Sequence, residues 1–89
     1  MPKRVDKNQK NIVQVLRQVG ATVAYLHEVG HGVPDLLVGF QGHNYLLEIK
    51  SDKGELTNAQ AVWHVIWRGQ VAIVRTVEAA LRTIGVSED

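Results

Sequence analysis

Hydrophobic and polar positions in the first third of the chain change from helical to extended spacing. Apolar residues recur at helical spacing among Lys, Arg, Asn and Gln over residues 4–19, which predicts a helix that ends at Gly20. Residues 21–28 alternate with a period of two, and this alternation predicts a strand. A turn rich in Gly and Pro is expected over residues 29–34. The chain therefore begins with a helix, a strand and a tight turn.

The middle of the chain has the pattern of a β-hairpin. Residues 35–40 and 45–51 are strand-like runs, and Gln41-Gly42-His43-Asn44 separate them. A polar loop is expected over residues 52–55, after the second run. Two antiparallel strands joined by a short connection are therefore predicted at the centre of the fold.

The last third of the chain predicts a helix, a strand and a shorter helix. The first of these helices covers about 57–68, with Thr57 or Asn58 as its N-cap. Residues 71–74 form a continuous apolar run, typical of a buried strand. A final helix is expected over 76–84, capped by the threonine at its start. The predicted order of elements is α-β-β-β-α-β-α, which indicates an α/β fold.

Length and composition limit the class of protein. The 89 residues suffice for one domain, 1–89, and 45% hydrophobic with 21% charged residues is typical of a globular chain. No apolar run approaches the roughly 18 residues of a membrane span, and no membrane partner is expected. The absence of cysteine excludes disulfides and thiolate zinc sites and fits a cytoplasmic protein. Because the formal net charge is only +1, any contact with DNA must come from local basic clusters.

One short segment contains the signature of a zinc peptidase. His27-Glu28-Val29-Gly30-His31 matches H-E-x-x-H, in which two histidines on a helix hold the metal. The surrounding pattern predicts a strand and a turn, and residues i and i+4 of a strand lie about 13 Å apart. Gly30 would also cost a helix about 1 kcal/mol. A zinc metallopeptidase, with Glu48 as a third ligand, remains an alternative function.

A second set of polar residues is expected to meet on the predicted hairpin. Asp35 stands at the start of the first strand, directly after a Gly-Val-Pro turn. Glu48 and Lys50 share one face of the second strand, because side chains two apart point the same way. Two carboxylates suit Mg²⁺, and a nearby lysine can orient a water or stabilise charge on a phosphate. The alternative is that Glu48 and Lys50 form a solvated strand face and that Asp35 is only a turn residue.

These residues lie in a segment, Gly32 to Gln60, that resembles the PD-(D/E)XK nuclease core and, more narrowly, the VRR-NUC family. The family elements G-x-P-D, E-x-K and L-(S/T)-x-x-Q occur in that order as Gly32-Val33-Pro34-Asp35, Glu48-Ile49-Lys50 and Leu56-Thr57-Asn58-Ala59-Gln60. The likeness continues through Gly69 to Ala80 and so covers most of the chain. It implies a restriction-endonuclease-like α/β core, with a mixed sheet flanked by helices.

The resemblance also implies a set of site residues. Asp35 and Glu48 would bind Mg²⁺ or Mn²⁺ together with the backbone carbonyl of Ile49. Lys50 would assist the nucleophilic water, and Gln60 would reach the site from the next helix. The family also carries a first-helix glutamate, for which the nearest candidate is Asp6, and often a basic residue before the G-x-P-D turn, where this chain has His31.

Other side chains extend these expectations. Basic residues are candidates for phosphate contacts: Lys3, Arg4, Lys7, Lys10, Arg17, His31, Lys53, Arg68 and Arg75. His27, His43 and His64 are expected at the surface or partly packed. On the second helix, Val62, Val65 and Ile66 are expected to face the sheet, which leaves Trp63 and Trp67 for a dimer interface or for the core.

The expected function is that of a Mg²⁺- or Mn²⁺-dependent DNA endonuclease. The VRR-NUC resemblance suggests branched DNA, in particular four-way junctions, as substrate, and a homodimer as the acting species. It also suggests the cytoplasm of a bacterial or phage-infected cell as location. A nuclease-fold module that binds DNA without cutting it is a further alternative, although Asp35, Glu48 and Lys50 are all present.

Overall fold

The computed structural model describes residues 7–86, which form an α/β fold of three helices and one four-stranded mixed sheet. The elements in chain order are α1 (Lys7–Gln18), β1 (Thr22–Tyr25), β2 (Leu36–Phe40), β3 (His43–Ile49), α2 (Asn58–Ile66), β4 (Ala72–Val74) and α3 (Val77–Thr83). The predicted element order is confirmed. None of these helices is long and apolar enough to cross a membrane.

Helix α1 is amphipathic and ends where the sequence predicts. Its buried stripe consists of Ile12, Val13 and Leu16. The N–H of Gly20 donates to the carbonyl of Arg17 (3.1 Å), and the next N–H reaches back to the carbonyl of Leu16 (3.0 Å). This pair of bonds is a Schellman cap, for which glycine is the preferred residue. The first three residues of the predicted helix, 4–6, lie outside the described part of the chain.

The sheet has the strand order β1-β2-β3-β4. Strands β1, β2 and β3 are antiparallel neighbours, whereas β4 runs parallel to β3. The predicted hairpin is present, but its connection is only Gln41-Gly42, with φ values of 50° and 80°. Two consecutive positive φ values are typical of a type I′ turn, whose twist matches that of the strands. The strand therefore begins at His43, two residues earlier than predicted.

One face of the sheet carries the core. Helices α1 and α3 cover this face and contact each other. The buried apolar residues form one cluster: Ile12, Val13, Leu16, Ala21, Leu36, Val38, Leu47, Ile49, Val74, Ala80 and Ile84. Because the strand period is two, the residues between these positions on β2 and β3 point to the opposite face. That opposite face carries the polar residues discussed below.

Three predictions are wrong: the end of the first strand, the burial of β4 and the side of α2 that faces the sheet. The strand predicted over 21–28 ends at Tyr25, because a turn begins at His27. Strand β4 was expected to be buried, but it is an edge strand and Ile73 is 42% exposed. Val62, Val65 and Ile66 do not face the sheet; their side chains are 60%, 82% and 63% exposed. The side of α2 that faces the sheet is a different one, and its residues define the site.

Candidate active site

The β2–β3 pairing brings two carboxylates opposite each other. Leu36 lies opposite Leu47, and one step further along this antiparallel register Asp35 lies opposite Glu48. Directly opposed side chains share one face of the sheet, with Cβ atoms about 4.5–5.5 Å apart. Lys50 follows Glu48 by two residues and projects on the same face. One point of the sheet therefore carries two acids and one base.

The turn before Asp35 is packed tightly against α2. The N–H of Leu26 donates to the carbonyl of Asp35 (2.8 Å), which holds the end of the turn to β1. Gly32 has φ +82°, and a Cβ at this position would overlap the backbone carbonyl of Ala59. Glycine is thus required here both for the left-handed conformation and for the close approach of α2. Pro34 is fully buried beneath the turn and fixes the entry of the chain into β2.

Two side chains of α2 hold the carboxylate of Glu48. Glu48 is 0% exposed. The Nε2 of Gln60 donates to Oε2 of Glu48 (3.3 Å), and Nε2 of His64 lies 3.4 Å from Oε1. Each oxygen therefore has a partner, and among residues 7–86 no buried side-chain nitrogen or oxygen lacks one. Glu48 is therefore held by two side chains of the helix that follows it.

The start of α2 explains the orientation of the Gln60 amide. Thr57 caps the helix by accepting the N–H of Gln60 (3.2 Å), and Oε1 of Gln60 accepts the N–H of Thr57 (2.9 Å). This reciprocal arrangement is a capping box. Because the amide oxygen is engaged at the N-cap, the amide nitrogen points to Glu48. The T-x-x-Q spacing thus both starts the helix and directs a donor to the site.

Burial makes the ionised form of Glu48 costly. The pKa of Glu48 is raised from 4.5 to about 8, chiefly by desolvation and then by the hydrogen bond to Asp35 and the charge of Asp35, while the charge of Lys50 lowers it. A carboxyl placed beside another carboxylate in a desolvated site favours its protonated form. Burial and the neighbouring Asp35 therefore favour the protonated form of Glu48.

Asp35 and the backbone of β3 form the other wall of the site. The N–H of Ile49 donates to Oδ2 of Asp35 (2.7 Å), which fixes the carboxylate beside the strand. In an extended strand the N–H and C=O of one residue point to the same side. The carbonyl of Ile49 is therefore directed to the side of the strand on which Asp35 lies, as the resemblance implies for a metal ligand.

The backbone around Lys50 is held in place by α1 and by Arg75. The amide nitrogen of Asn8 donates to the carbonyls of Lys50 (3.0 Å) and Arg75 (3.1 Å), which places the start of α1 at the edge of the site. The Nη1 of Arg75 donates to the carbonyls of Ser51 (2.6 Å) and Gly54 (2.7 Å). Arg75, expected to contact phosphate, instead orders the loop that follows Lys50.

His64 is a site residue that the sequence analysis did not identify. It was expected at the surface or partly packed, and its side chain is 13% exposed and in contact with Glu48. Burial, and secondly the charge of Lys50, lower the pKa of His64 below its ordinary value of 6.5. The signal was present in the sequence, because His64 is one helical turn beyond Gln60 and shares its face.

The donor set fits a hard divalent cation. Asp35 and Glu48 supply carboxylate oxygens, and desolvation together with Asp35 raises the pKa of Glu48. Within residues 7–86 no three His, Asp or Glu side chains are grouped closely enough to hold an ion alone. Mg²⁺ keeps several waters and binds through one or two carboxylates, which is the number of carboxylates that Asp35 and Glu48 provide.

The remaining DNA-contact and metal candidates have different positions. Lys3, Arg4 and Asp6 lie outside the described residues. Lys7 and Lys10 are exposed on α1, Lys53 is exposed in the loop after Lys50, and Arg68 is exposed after α2. His31 is exposed in the turn with φ 57°, beside the groove along α2. Arg17 instead donates to the carbonyl of Val23 (3.5 Å) and stacks over Tyr25 at 5.8 Å.

The H-E-x-x-H segment lacks the helix that a zinc peptidase needs. His27 and Glu28 lie in the turn that follows β1, and His31 has a left-handed backbone conformation. The i, i+4 spacing therefore does not place the two imidazoles on one helical face. Glu48, proposed as third ligand of this arrangement, is instead buried beneath α2.

The tryptophans adjoin the exposed apolar side of α2. Trp63 and Trp67 stack on each other with ring centroids 4.6 Å apart, and Trp67 is 43% exposed. A groove of about 390 Å³ is lined by His31 and by the helix residues Val62, Trp63 and Ile66. α2 contributes no buried residue to the domain. Its exposed apolar surface is thus larger than the sequence analysis expected.

Comparisons of the chain with protein-family models, with curated proteins and with solved structures gave no match. The function is therefore inferred from the chemistry of Asp35, Glu48 and the residues around them.

Proposed function

We propose that this protein is a divalent-metal-dependent endonuclease with a PD-(D/E)XK fold that hydrolyses phosphodiester bonds in DNA. The observation that carries the proposal is the fully buried carboxylate of Glu48 opposite the half-buried carboxylate of Asp35, with Lys50 on the same face. A stable fold does not need a buried acid beside a second acid, since their charges disfavour each other. A bound cation removes this cost.

The chemistry assigned to each residue follows from its position. Asp35, Glu48 and the carbonyl of Ile49 would hold Mg²⁺ or Mn²⁺. When bound, such an ion polarises the phosphate and lowers the pKa of the attacking water. The Lys50 ammonium faces the same point, where it orients this water and stabilises the negative charge that develops on the phosphate. Gln60 holds Glu48 in the orientation that binding requires.

Two observations favour hydrolysis over the alternatives. The zinc-peptidase hypothesis needs a helix through His27 and His31, and this segment is a turn. A module that only binds DNA gains nothing from a buried acid whose ionisation is opposed by burial. The resemblance to the VRR-NUC family and the element order α-β-β-β-α-β-α support the nuclease hypothesis independently.

We further propose that the acting species is a homodimer that cuts branched DNA, with four-way junctions as the leading candidate, in the cytoplasm of a bacterial or phage-infected cell. A two-fold dimer presents two sites to opposite strands. Val62, Val65 and Ile66 supply an exposed apolar surface on α2, and such surfaces mark interaction sites. Trp63 lines the same groove as Val62 and Ile66 and stacks on Trp67, so the proposed interface includes the tryptophan pair beside the valines and Ile66.

The test is a cleavage panel of duplex, single-stranded, flap and four-way-junction DNA with Mg²⁺, Mn²⁺, Zn²⁺ or EDTA. We expect cleavage with Mg²⁺ and Mn²⁺ only, and a loss of at least about a hundredfold in Asp35→Asn and Lys50→Ala. Asp35→Asn should also bind Mn²⁺ more weakly, whereas Lys50→Ala should still bind it. Arg82→Ala is the matched control, because Arg82 is an exposed basic residue of α3, which covers the opposite face of the sheet. Full activity in either site variant contradicts the proposal.

A further inference from the structure

His64 occupies a place in the site that the three matched motifs do not explain. Its Nε2 lies 3.4 Å from Oε1 of Glu48, and Nε2 of Gln60 donates to Oε2 at 3.3 Å. Gln60 and His64 are four residues apart on α2 and therefore approach the carboxylate from the same helix face. One helix thus supplies a separate partner for each oxygen of a fully buried carboxylate.

The hydrogen-bonding capacity of the two groups decides what His64 does. A neutral imidazole carries one N–H, and an ionised carboxylate only accepts hydrogen bonds. When Glu48 is ionised, the N–H must therefore be at Nε2. The ring is held in this direction by an edge-on contact with Trp63, with centroids 5.9 Å apart.

We infer that His64 is a positioning residue of the proposed metal site, which orients the ionised carboxylate of Glu48 by donating a hydrogen bond from Nε2 to Oε1. The inference rests on the proposed nuclease function. The terminal torsion of a glutamate is broad, so a carboxylate without fixed partners samples many orientations. Donors at both oxygens fix the carboxylate plane and leave the lone pairs that face Asp35 for the cation.

Loss of an outer hydrogen-bond partner of a metal ligand costs about 10–100-fold in metal affinity or activity. We therefore expect His64→Leu to weaken Mn²⁺ binding by that factor and to lower cleavage in parallel. His64→Gln, whose amide can donate over a similar reach, should recover most of the affinity. His43→Leu is the matched control, because His43 is exposed at the opposite end of β3 from Glu48.

The experiment measures Mn²⁺ binding by electron paramagnetic resonance of the free ion, with Mg²⁺ as competitor, on protein shown by circular dichroism to be folded. Unchanged Mn²⁺ affinity in folded His64→Leu would overturn the inference while leaving the nuclease proposal intact. If His64→Leu does not fold, His64→Asn replaces it, since the shorter amide cannot reach Glu48 but keeps the helix surface polar.

Two further outcomes are distinct. A loss of Mn²⁺ binding with full Mg²⁺ binding would overturn the positioning role, because it would make His64 a ligand; imidazole suits transition metals and oxygen suits Mg²⁺. Absence of Mn²⁺ binding in the wild-type protein would instead remove the proposed function, and the inference with it.

Discussion

Replacing Glu48 with glutamine should stabilise the metal-free protein in alkaline solution and weaken the pH dependence of its unfolding. The folded state holds a proton on Glu48 up to about pH 8, whereas the unfolded chain releases it near 4.5. Between these values the folded state binds more protons, so the free energy of unfolding falls as pH rises. The contribution of this group is complete below pH 4.5 and is lost progressively up to about pH 8.

The expected change in the free energy of unfolding follows from the two pKa values of Glu48. Each pH unit in this interval lowers the free energy of unfolding by about 1.4 kcal/mol. The pKa of His64 is lowered below 6.5, so the change in the free energy of unfolding between pH 6.5 and 8 is assigned to Glu48 rather than to His64. The expected loss over this interval is about 2 kcal/mol, a substantial part of the roughly 5–15 kcal/mol that stabilises a domain. Glutamine keeps the shape of the side chain and removes its charge. Between pH 6.5 and 8 the free energy of unfolding of Glu48→Gln should therefore fall by about 2 kcal/mol less than that of the wild type.

The assay is urea unfolding in EDTA at several pH values, followed by tryptophan fluorescence. Glu55→Gln is the control, because Glu55 is an exposed carboxylate in the loop before α2. Addition of Mg²⁺ should stabilise the wild type, increasingly so with rising pH, and should not stabilise Glu48→Gln. A wild-type free energy of unfolding that stays constant or rises between pH 6.5 and 8, or equal slopes in both proteins, would refute the reasoning.

Three other changes test separate features. Gly32→Ala should lower the free energy of unfolding in urea by about 2–4 kcal/mol and should also lower the cleavage rate, because its Cβ would displace α2 at Ala59 and the left-handed backbone adds strain. A variant with wild-type stability would show that the turn does not hold α2. Val65→Glu should leave the fold intact, since Val65 is 82% exposed, and should shift sedimentation from two chains to one chain of 9.9 kDa; a wild-type protein that already sediments as one chain contradicts the dimer. His27→Gln with His31→Gln should keep Mg²⁺-dependent cleavage within a few-fold, and its loss would restore the zinc hypothesis.

The local sequence pattern was sufficient to predict the order of the helices and strands and the meeting of Asp35 and Glu48 on neighbouring strands. The alternation of β2 and β3 and the two-residue period determine which side chains share a face, and a short polar connection implies antiparallel pairing. The start of α2 at Thr57 and the end of α1 at Gly20 were predictable for the same reason, because caps depend on neighbouring residues only. These features need no knowledge of distant parts of the chain.

The orientation of α2 was decided only by the tertiary structure. The helix is apolar on more than one side, so hydrophobic periodicity favoured placing Val62, Val65 and Ile66 on the sheet. The structure places Gln60 and His64 there instead. A buried carboxylate without partners costs more than the exposure of a few apolar side chains.

The roles of His64 and Arg75 depend on the same kind of long-range contact. His64 became a site residue because the sheet presents Glu48 beneath its helix, 16 residues away in sequence. Arg75 orders the Ser51–Gly54 loop because β4 runs parallel to β3 and ends beside it. Composition and spacing identify which side chains can donate or accept, but the partner of each is determined by which strands and helices become neighbours, since hydrogen bonds act only over about 3 Å.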